Sequence, residues 1–214
     1  MKAFEAGDVE LTQALVDQAI EERPSSLDGV TLRFLRGNAY EWGGYPGGID
    51  LDKAYADYKA LEEWTPILGS DVLVSAARVL FDMDGQENKD EIERLCLKAV
   101  SIDQHVHAKM LLGLLNQKVL MNSKKARKWY LSAYRGGLPW GLRYYADSQK
   151  NDGNSVIASF AHLIATLTSP FLVIFNGARG LSASTRRSTA NRTRPADAGL
   201  VVVEVVVAAT GAQR

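Results

Sequence analysis

"RGNAYEWGGYPGGIDLDKAYADY", Arg36 to Tyr58, places five glycines in its first thirteen residues and then turns strongly helical. Two readings compete for it: a glycine-rich loop that cradles a phosphate, or the turn between two packed helices. A phosphate loop needs Gly-x-x-x-x-Gly-Lys-Ser/Thr between a strand and a helix. Here Gly48 is followed by Ile49 and Asp50, with no adjacent Lys-Ser/Thr and no strand before it. An acidic residue would also repel a phosphate from the helix terminus that should attract it. The glycines read as a turn, and the stretch as helix, turn, helix.

Periodicity extends this pattern in both directions. In "DVELTQALVDQAIEER", Leu11, Leu15 and Ile20 form an apolar stripe with Ala14, Val16 and Ala19, which predicts Glu10, Gln13, Asp17 and Glu21 outside. Pro24-Ser25-Ser26 ends that helix. "LDGVTLRFLRGNAYEW" sets Val30, Phe34 and Gly37, with Tyr40 and Glu41, one turn apart, and "IDLDKAYADYKALEEW" sets Ala54, Tyr58 and Leu61 at i, i+4, i+7. Asp52 suits the positive end of that helix. Further on, "AARVLFDMDGQENKDEIERLCLKAVSID" (76–103) and "AKMLLGLLNQKVLMNSKKARKWYLSAYRGG" (108–137) repeat the arrangement, and "LPWGLRYYADSQ" opens a new first helix. With Ala54, Ile92 and Ala126 as equivalent points, the separations are 38 and 34 residues. Such periods mark helical hairpins stacked as a solenoid.

The residues at these points carry a family resemblance. Leu35-x-Gly37-x-x-Tyr40-x-x-Gly43, then Asp52-Lys53-Ala54-x-x-x-Tyr58, resembles the Sel-one-like branch of the tetratricopeptide repeats. Leu112-Gly113, followed by Lys125-Ala126-x-x-Trp129-Tyr130-x-x-Ala133-x-x-Gly136, resembles it more closely. The likeness covers residues 28–150, and its middle repeat lacks the Leu-Gly and Trp-Tyr pairs. It implies an all-α, right-handed superhelix in which small residues let helices approach and aromatics fill the space between hairpins. It also implies a non-catalytic adaptor, of a kind frequent in bacterial systems, that holds a protein or peptide in a concave groove. It carries no catalytic, metal or cofactor residues. An immunity-type or regulatory binding protein and a structural membrane-assembly factor remain alternative roles.

Composition divides the chain. Residues 1–152 are rich in charge, Tyr, Trp, Leu and Ala and form the expected repeat domain; 153–178 contain no Asp, Glu, Lys or Arg; 179–214 form a basic, low-complexity tail. The tail's composition is that of a disordered chain, yet it ends in the β-prone run "LVVVEVVVAA", and one account of it is a shifted reading frame. The uncharged segment, Val156 to Phe175, has the length and apolarity for membrane contact. The other reading is buried closing helices of the solenoid. Thr168-Ser169-Pro170 interrupts a simple span, and arginines and lysine flank it on both sides, which leaves its topology open. A net charge of zero argues against attraction of the whole chain to nucleic acid. One cysteine excludes an internal disulfide, and an acidic start lacks the apolar core of a secretory signal, so the expected location is cytoplasmic, attached to the inner face of a membrane if the apolar segment engages it.

Candidate chemistry elsewhere is thin. "DMDGQENKDE" places Gly85 fourth rather than sixth in a calcium loop starting at Asp82, and a solvated turn accounts for it. His105 and His107 have no cysteine or carboxylate set to complete a zinc site. Cys96 lies among Ile92 and Leu95 as a small hydrophobe. "KKARK" (124–128) reads as a solvated helix start or a phosphate contact. Trp42, Trp64, Trp129 and Trp140 read as packing residues, with an exposed one in a groove suited to anchoring a peptide.

Overall fold

The computed structural model describes residues 6–168, and all its regular structure there is helical. Residues 169–214 lie outside the described residues, and with them the expected tail and the second half of the Val156–Phe175 segment. The chain divides into two compact units.

The first unit runs to Met83. It contains α1 (Ala6–Glu22), α2 (Leu27–Trp42), α3 (Leu51–Ala60), a 3-10 turn (Glu62–Trp64), the short α4 (Thr65–Leu68) and α5 (Asp71–Asp84), whose last residue lies past the unit boundary. Ser26 caps α2: its hydroxyl accepts from the Gly29 amide at 3.0 Å, satisfying one of the orphan donors of the first turn. Gly43, at φ 71°, closes α2 in the left-handed conformation that glycine adopts without a Cβ penalty. The cap of α3 is Asp50, through a 3.0 Å bond from the Lys53 amide, and Asp52 lies in the first turn as its charge suits. Pairing of α2 with α3 rests on one close approach. A Cβ at Gly37 would meet the Tyr58 ring at 2.8 Å, so only glycine admits this ring at this spacing. Tyr58, Ala54, Val30 and Tyr40 are buried, with Leu35 half-buried.

α1 departs from the sequence expectation. Its inward face carries Gln13, Asp17 and Ile20, while Leu11 and Leu15 are exposed. The reason is polar. Arg36 of α2 donates to Asp17 at 2.7 Å, and Gln13 reaches the Tyr40 hydroxyl at 3.3 Å. These bonds turn the helix so that its two leucines face out.

The second unit begins at Asp84. It holds α6 (Lys89–Asp103), α7 (Val106–Leu114) with a π-turn (Leu115–Val119), α8 (Ser123–Arg135), α9 (Trp140–Asn151) and α10 (155–168). Asp84 closes the preceding loop by accepting from the amides of Gln86 and Glu87, which makes "DMDG" a helix-ending turn. The contact seen in the first unit recurs here: a Cβ on Gly113 would lie 2.3 Å from the Tyr130 ring. Leu112, Ala126, Tyr130 and Ala133 are fully buried, whereas Trp129 is half-buried. Of the two aromatics in the Trp-Tyr pair, the tyrosine is therefore the core residue. On the opposite side of α8, a Cβ on Gly141 would lie 2.4 Å from the Tyr130 carbonyl oxygen, so α9 also approaches closely.

α10 lies beyond residue 152, where composition suggested the repeat body ends, and it continues the packing. Ala158, Ala161 and Ala165 are buried, the last two clustered with Leu142 and Ala146 of α9. Small residues face in because the helices are close; Val156, Phe160, Leu163 and Leu167 face out. Among the described residues no helix is long and apolar enough to cross a membrane.

The glycine–tyrosine contact yields a direct test. Gly113→Ala gains helix propensity but overpacks Tyr130, and we expect a net loss of about 1–3 kcal/mol in urea unfolding. Gly47→Ala, where an added Cβ meets nothing within 4 Å, should change stability by less than about 0.5 kcal/mol. Tyr130→Ala should cost about 3–5 kcal/mol and Trp129→Ala clearly less; equal costs would place the tryptophan in the core instead.

Candidate functional site

The richest polar constellation in the first unit starts from Tyr58. Its hydroxyl donates to Glu41 at 2.8 Å and lies 3.1 Å from the Asn38 side-chain oxygen. Burial, followed by the nearby Glu41 charge, pushes the Tyr58 pKa well up, so it remains a donor. Glu41 is itself buried, and both its oxygens also receive Arg78, from Nε and from a terminal nitrogen at 2.8 Å. Such a fork-to-carboxylate pair fixes the guanidinium plane. Burial opposes the charge on Arg78, but the bond and charge of Glu41 more than offset it and raise its pKa. The far face of Arg78 lies 5.3 Å from the Trp42 ring centre. Trp42 is 68% exposed. The arrangement is a chain of support: tyrosine to glutamate to arginine to a tryptophan standing in solvent.

A second network braces the same helices. Arg36 donates to both oxygens of buried Asp57, at 2.8 and 2.6 Å, and to Asp17 at 2.7 Å, tying α1, α2 and α3 together. The bond to Asp57, against the opposing effect of burial, raises the Arg36 pKa further above its ordinary value. Between them, Tyr45 packs edge-on against Tyr40, and burial pushes its pKa up to about 12.

In the second unit, Tyr130 donates to Gln117 at 2.6 Å. Gln117 follows Gly113 by four residues, as Glu41 follows Gly37, so each glycine is succeeded one turn later by the acceptor for the tyrosine it admits. Trp140 is 56% exposed and stacks on Arg143 at 4.7 Å. Trp64, by contrast, packs against Val30, Leu61 and Val72. An apolar cavity of about 410 Å³ lies between α9 and α10, lined chiefly by Leu142, Tyr145, Ile157, Phe160 and Ile164.

The remaining candidates have structural positions. His105 caps α7, its Nδ1 accepting from the Ala108 amide, and its ring centre lies 5.8 Å from that of His107. Their i, i+2 spacing brings the rings together because His105 precedes the helix. Cys96 is fully buried, and burial with the charge of Glu93 pushes its thiol up to about 12. Within "KKARK", Lys125 pairs with Glu93 at 2.9 Å and Arg127 with Asp152. Asn116, in the π-turn, is completely buried; its amide donates to the Leu112 carbonyl at 2.8 Å. Among the described residues no group of three or more His, Cys, Asp or Glu is placed to hold a metal ion.

No family model matches the chain, and no curated protein matches it. Among solved structures, the crystal structure of MamA superposes with a TM-score of 0.60 at 14% sequence identity, over 77% of this chain and 90% of that one. The likeness shows the fold: all-α, of the tetratricopeptide helical-repeat type.

The network around Arg36 sets a measurable cost. Arg36→Met leaves Asp57 buried without its partner, and we expect a loss of about 3–5 kcal/mol at pH 7. Replacing both residues, Arg36→Met with Asp57→Leu, removes the unpaired charge and should recover most of the loss; a double variant no better than the single would show that the pair does not act as a unit.

Proposed function

We propose that the protein is a non-catalytic scaffold that binds a protein or peptide, with Trp42 as its principal anchor. The supporting observation is the exposure of a large aromatic whose position is held by a buried carboxylate–guanidinium fork. An exposed tryptophan free to rotate would lose side-chain entropy on binding; one already stacked on Arg78 loses less. Tryptophan and arginine are also the residue types that dominate interface energetics. The Sel-one-like branch remains our assignment within the helical-repeat fold, supported by the Gly37–Tyr58 and Gly113–Tyr130 contacts, and a groove formed by first helices is the expected seat of the ligand. A location on the cytoplasmic side of a membrane and a bacterial setting belong to the same proposal and rest on the sequence.

The test uses the full chain as bait against extract from its native source, with partners identified by mass spectrometry and affinity then measured for each purified partner. Trp42→Ala should weaken the specific partner at least about 30-fold, the level of a hot spot, with unfolding free energy nearly unchanged. Glu41→Gln should weaken it less, because the fork loses its charge but keeps its shape. A partner whose affinity is indifferent to both substitutions removes the site from this role.

A further inference from the structure

The last described helix leaves an apolar face open, and the chain continues directly into a short apolar run. On α10, Val156, Phe160, Leu163 and Leu167 are 54–82% exposed, at spacings of four, three and four that put them on one side of the helix. Beside them lies the cavity of about 410 Å³ between α9 and α10, walled by Leu142, Tyr145, Ile157 and Ile164 together with Val156 and Phe160. The one polar atom among these side chains, the Tyr145 hydroxyl, already accepts from Gln149 at 2.8 Å. α10 carries no Asp, Glu, Lys or Arg, and α9 with its C-cap is balanced, Arg143 and Lys150 against Asp147 and Asp152. The occupant that fits this surface is therefore apolar and uncharged.

Such an occupant stands two residues away. After Thr168 the chain reads Ser169-Pro170 and then FLVIF, residues 171–175, before Asn176-Gly177. The exit point is fixed: Tyr134 of α8 donates to the Thr168 hydroxyl at 3.1 Å, and that hydroxyl donates to the Ile164 carbonyl at 2.9 Å. Pro170 has no amide for the next helical bond, and its ring opposes helical backbone at Ser169, so the sequence turns the chain off the α10 axis there. Lengths agree. Phe160 lies eight helical steps back from Thr168, about 12 Å at 1.5 Å each, and five extended residues cover about 16 Å, which leaves the length that a reversal needs. Asn176-Gly177 is a turn signal at the end of that reach, and Arg179 restores charge beyond it.

We propose that residues 171–175 return along α10 and seat a phenylalanine ring in the α9–α10 cavity, so that the chain covers this face itself. Extended backbone sends side chains alternately to two sides, so Phe171, Val173 and Phe175 meet the row together. The tether selects this occupant over a second copy. A short link holds the run at an effective concentration in the millimolar range, above that of free chains in dilute solution. The inference rests on neither the Trp42 reading nor a membrane location, and its test separates it from both.

The experiment is disulfide trapping in the full chain. Cys96 stays in place, because it is buried and its thiol is pushed up to about 12. Phe160→Cys, or Leu163→Cys, is combined in turn with Phe171→Cys, Val173→Cys and Phe175→Cys, and each chain is oxidised at about 1 μM, far below the effective concentration of the tether. At least one pairing should close within the chain at least about tenfold faster than the same tail cysteine paired with Met121→Cys, an exposed position in the second unit. Helical circular dichroism with an unchanged melt establishes that the variants fold. Rates equal to the Met121 control in every pairing would overturn the proposal. Crosslinks between chains in place of those within a chain would assign the face to a second copy and overturn it as well. Flotation of wild type with phosphatidylcholine vesicles, together with no intrachain crosslink in their absence, would give the run to lipid and have the same consequence.

Discussion

A tyrosine ring set against the Cα of a glycine on the neighbouring helix is the contact on which the rest of this structure depends. It appears twice, at Gly37–Tyr58 and at Gly113–Tyr130, and in both cases even a methyl group would fall well inside contact distance. Glycine in a helix interior costs roughly 1 kcal/mol relative to alanine, so its presence needs compensation. Full burial of a tyrosine ring supplies it, at the scale of several kcal/mol for a core aromatic. The ring in turn brings a hydroxyl into the interior, where an unpaired polar group would be expensive. Glu41 and Gln117, one turn beyond each glycine, meet that need. Spacing, burial and polar satisfaction are thus one device rather than three.

The device differs between its two occurrences in how far its polar chain extends. Gln117 is neutral and ends the network at the tyrosine. Glu41 is charged and buried, and a carboxylate that accepts one hydroxyl still has lone pairs to satisfy. Arg78 fills them, and its guanidinium then has one plane free to stack on Trp42. A requirement of the core is carried outward to the surface through two side chains. The exposed tryptophan is oriented by the same tyrosine that sets the distance between α2 and α3. A substitution at Gly37 would therefore disturb the setting of Trp42 as well as stability, whereas one at Gly113 would disturb stability alone.

Much of this was legible from spacing. Gly37, Tyr58, Gly113, Ala126, Tyr130 and Ala133 stand out because a repeat imposes the same packing demand every thirty-odd residues, and the eye needs only the period. What escaped the sequence depended on partners far along the chain. Nothing near Glu41 announces Arg78, which is 37 residues away. α1 reads as a helix with Leu11 and Leu15 inward, since hydrophobic periodicity assumes that burial decides the face. Here a guanidinium 19 residues on, together with the Tyr40 hydroxyl, decided it instead. α10 misled for the opposite reason: with no charge anywhere in the segment, hydropathy cannot distinguish its faces. Side-chain size could have done so, because Ala158, Ala161 and Ala165 share a spacing that the larger residues do not.

Zero net charge was also a weaker constraint than it looked. The sum conceals an uneven distribution: α1 holds five carboxylates and no cation, while residues 104–168 hold nine cations and two carboxylates. At physiological ionic strength fields decay over about 8 Å, so a molecule this size presents local charge and not its total to anything that approaches. A total near zero speaks only to attraction at long range. At contact, what a partner meets depends on the stretch it touches: α1, for example, is acidic and carries the exposed Leu11 and Leu15. The apolar rows supply free energy without direction, and the charges supply direction with little free energy. On α1 the two stand on one helix, which neither the average composition nor the hydrophobic pattern alone would reveal.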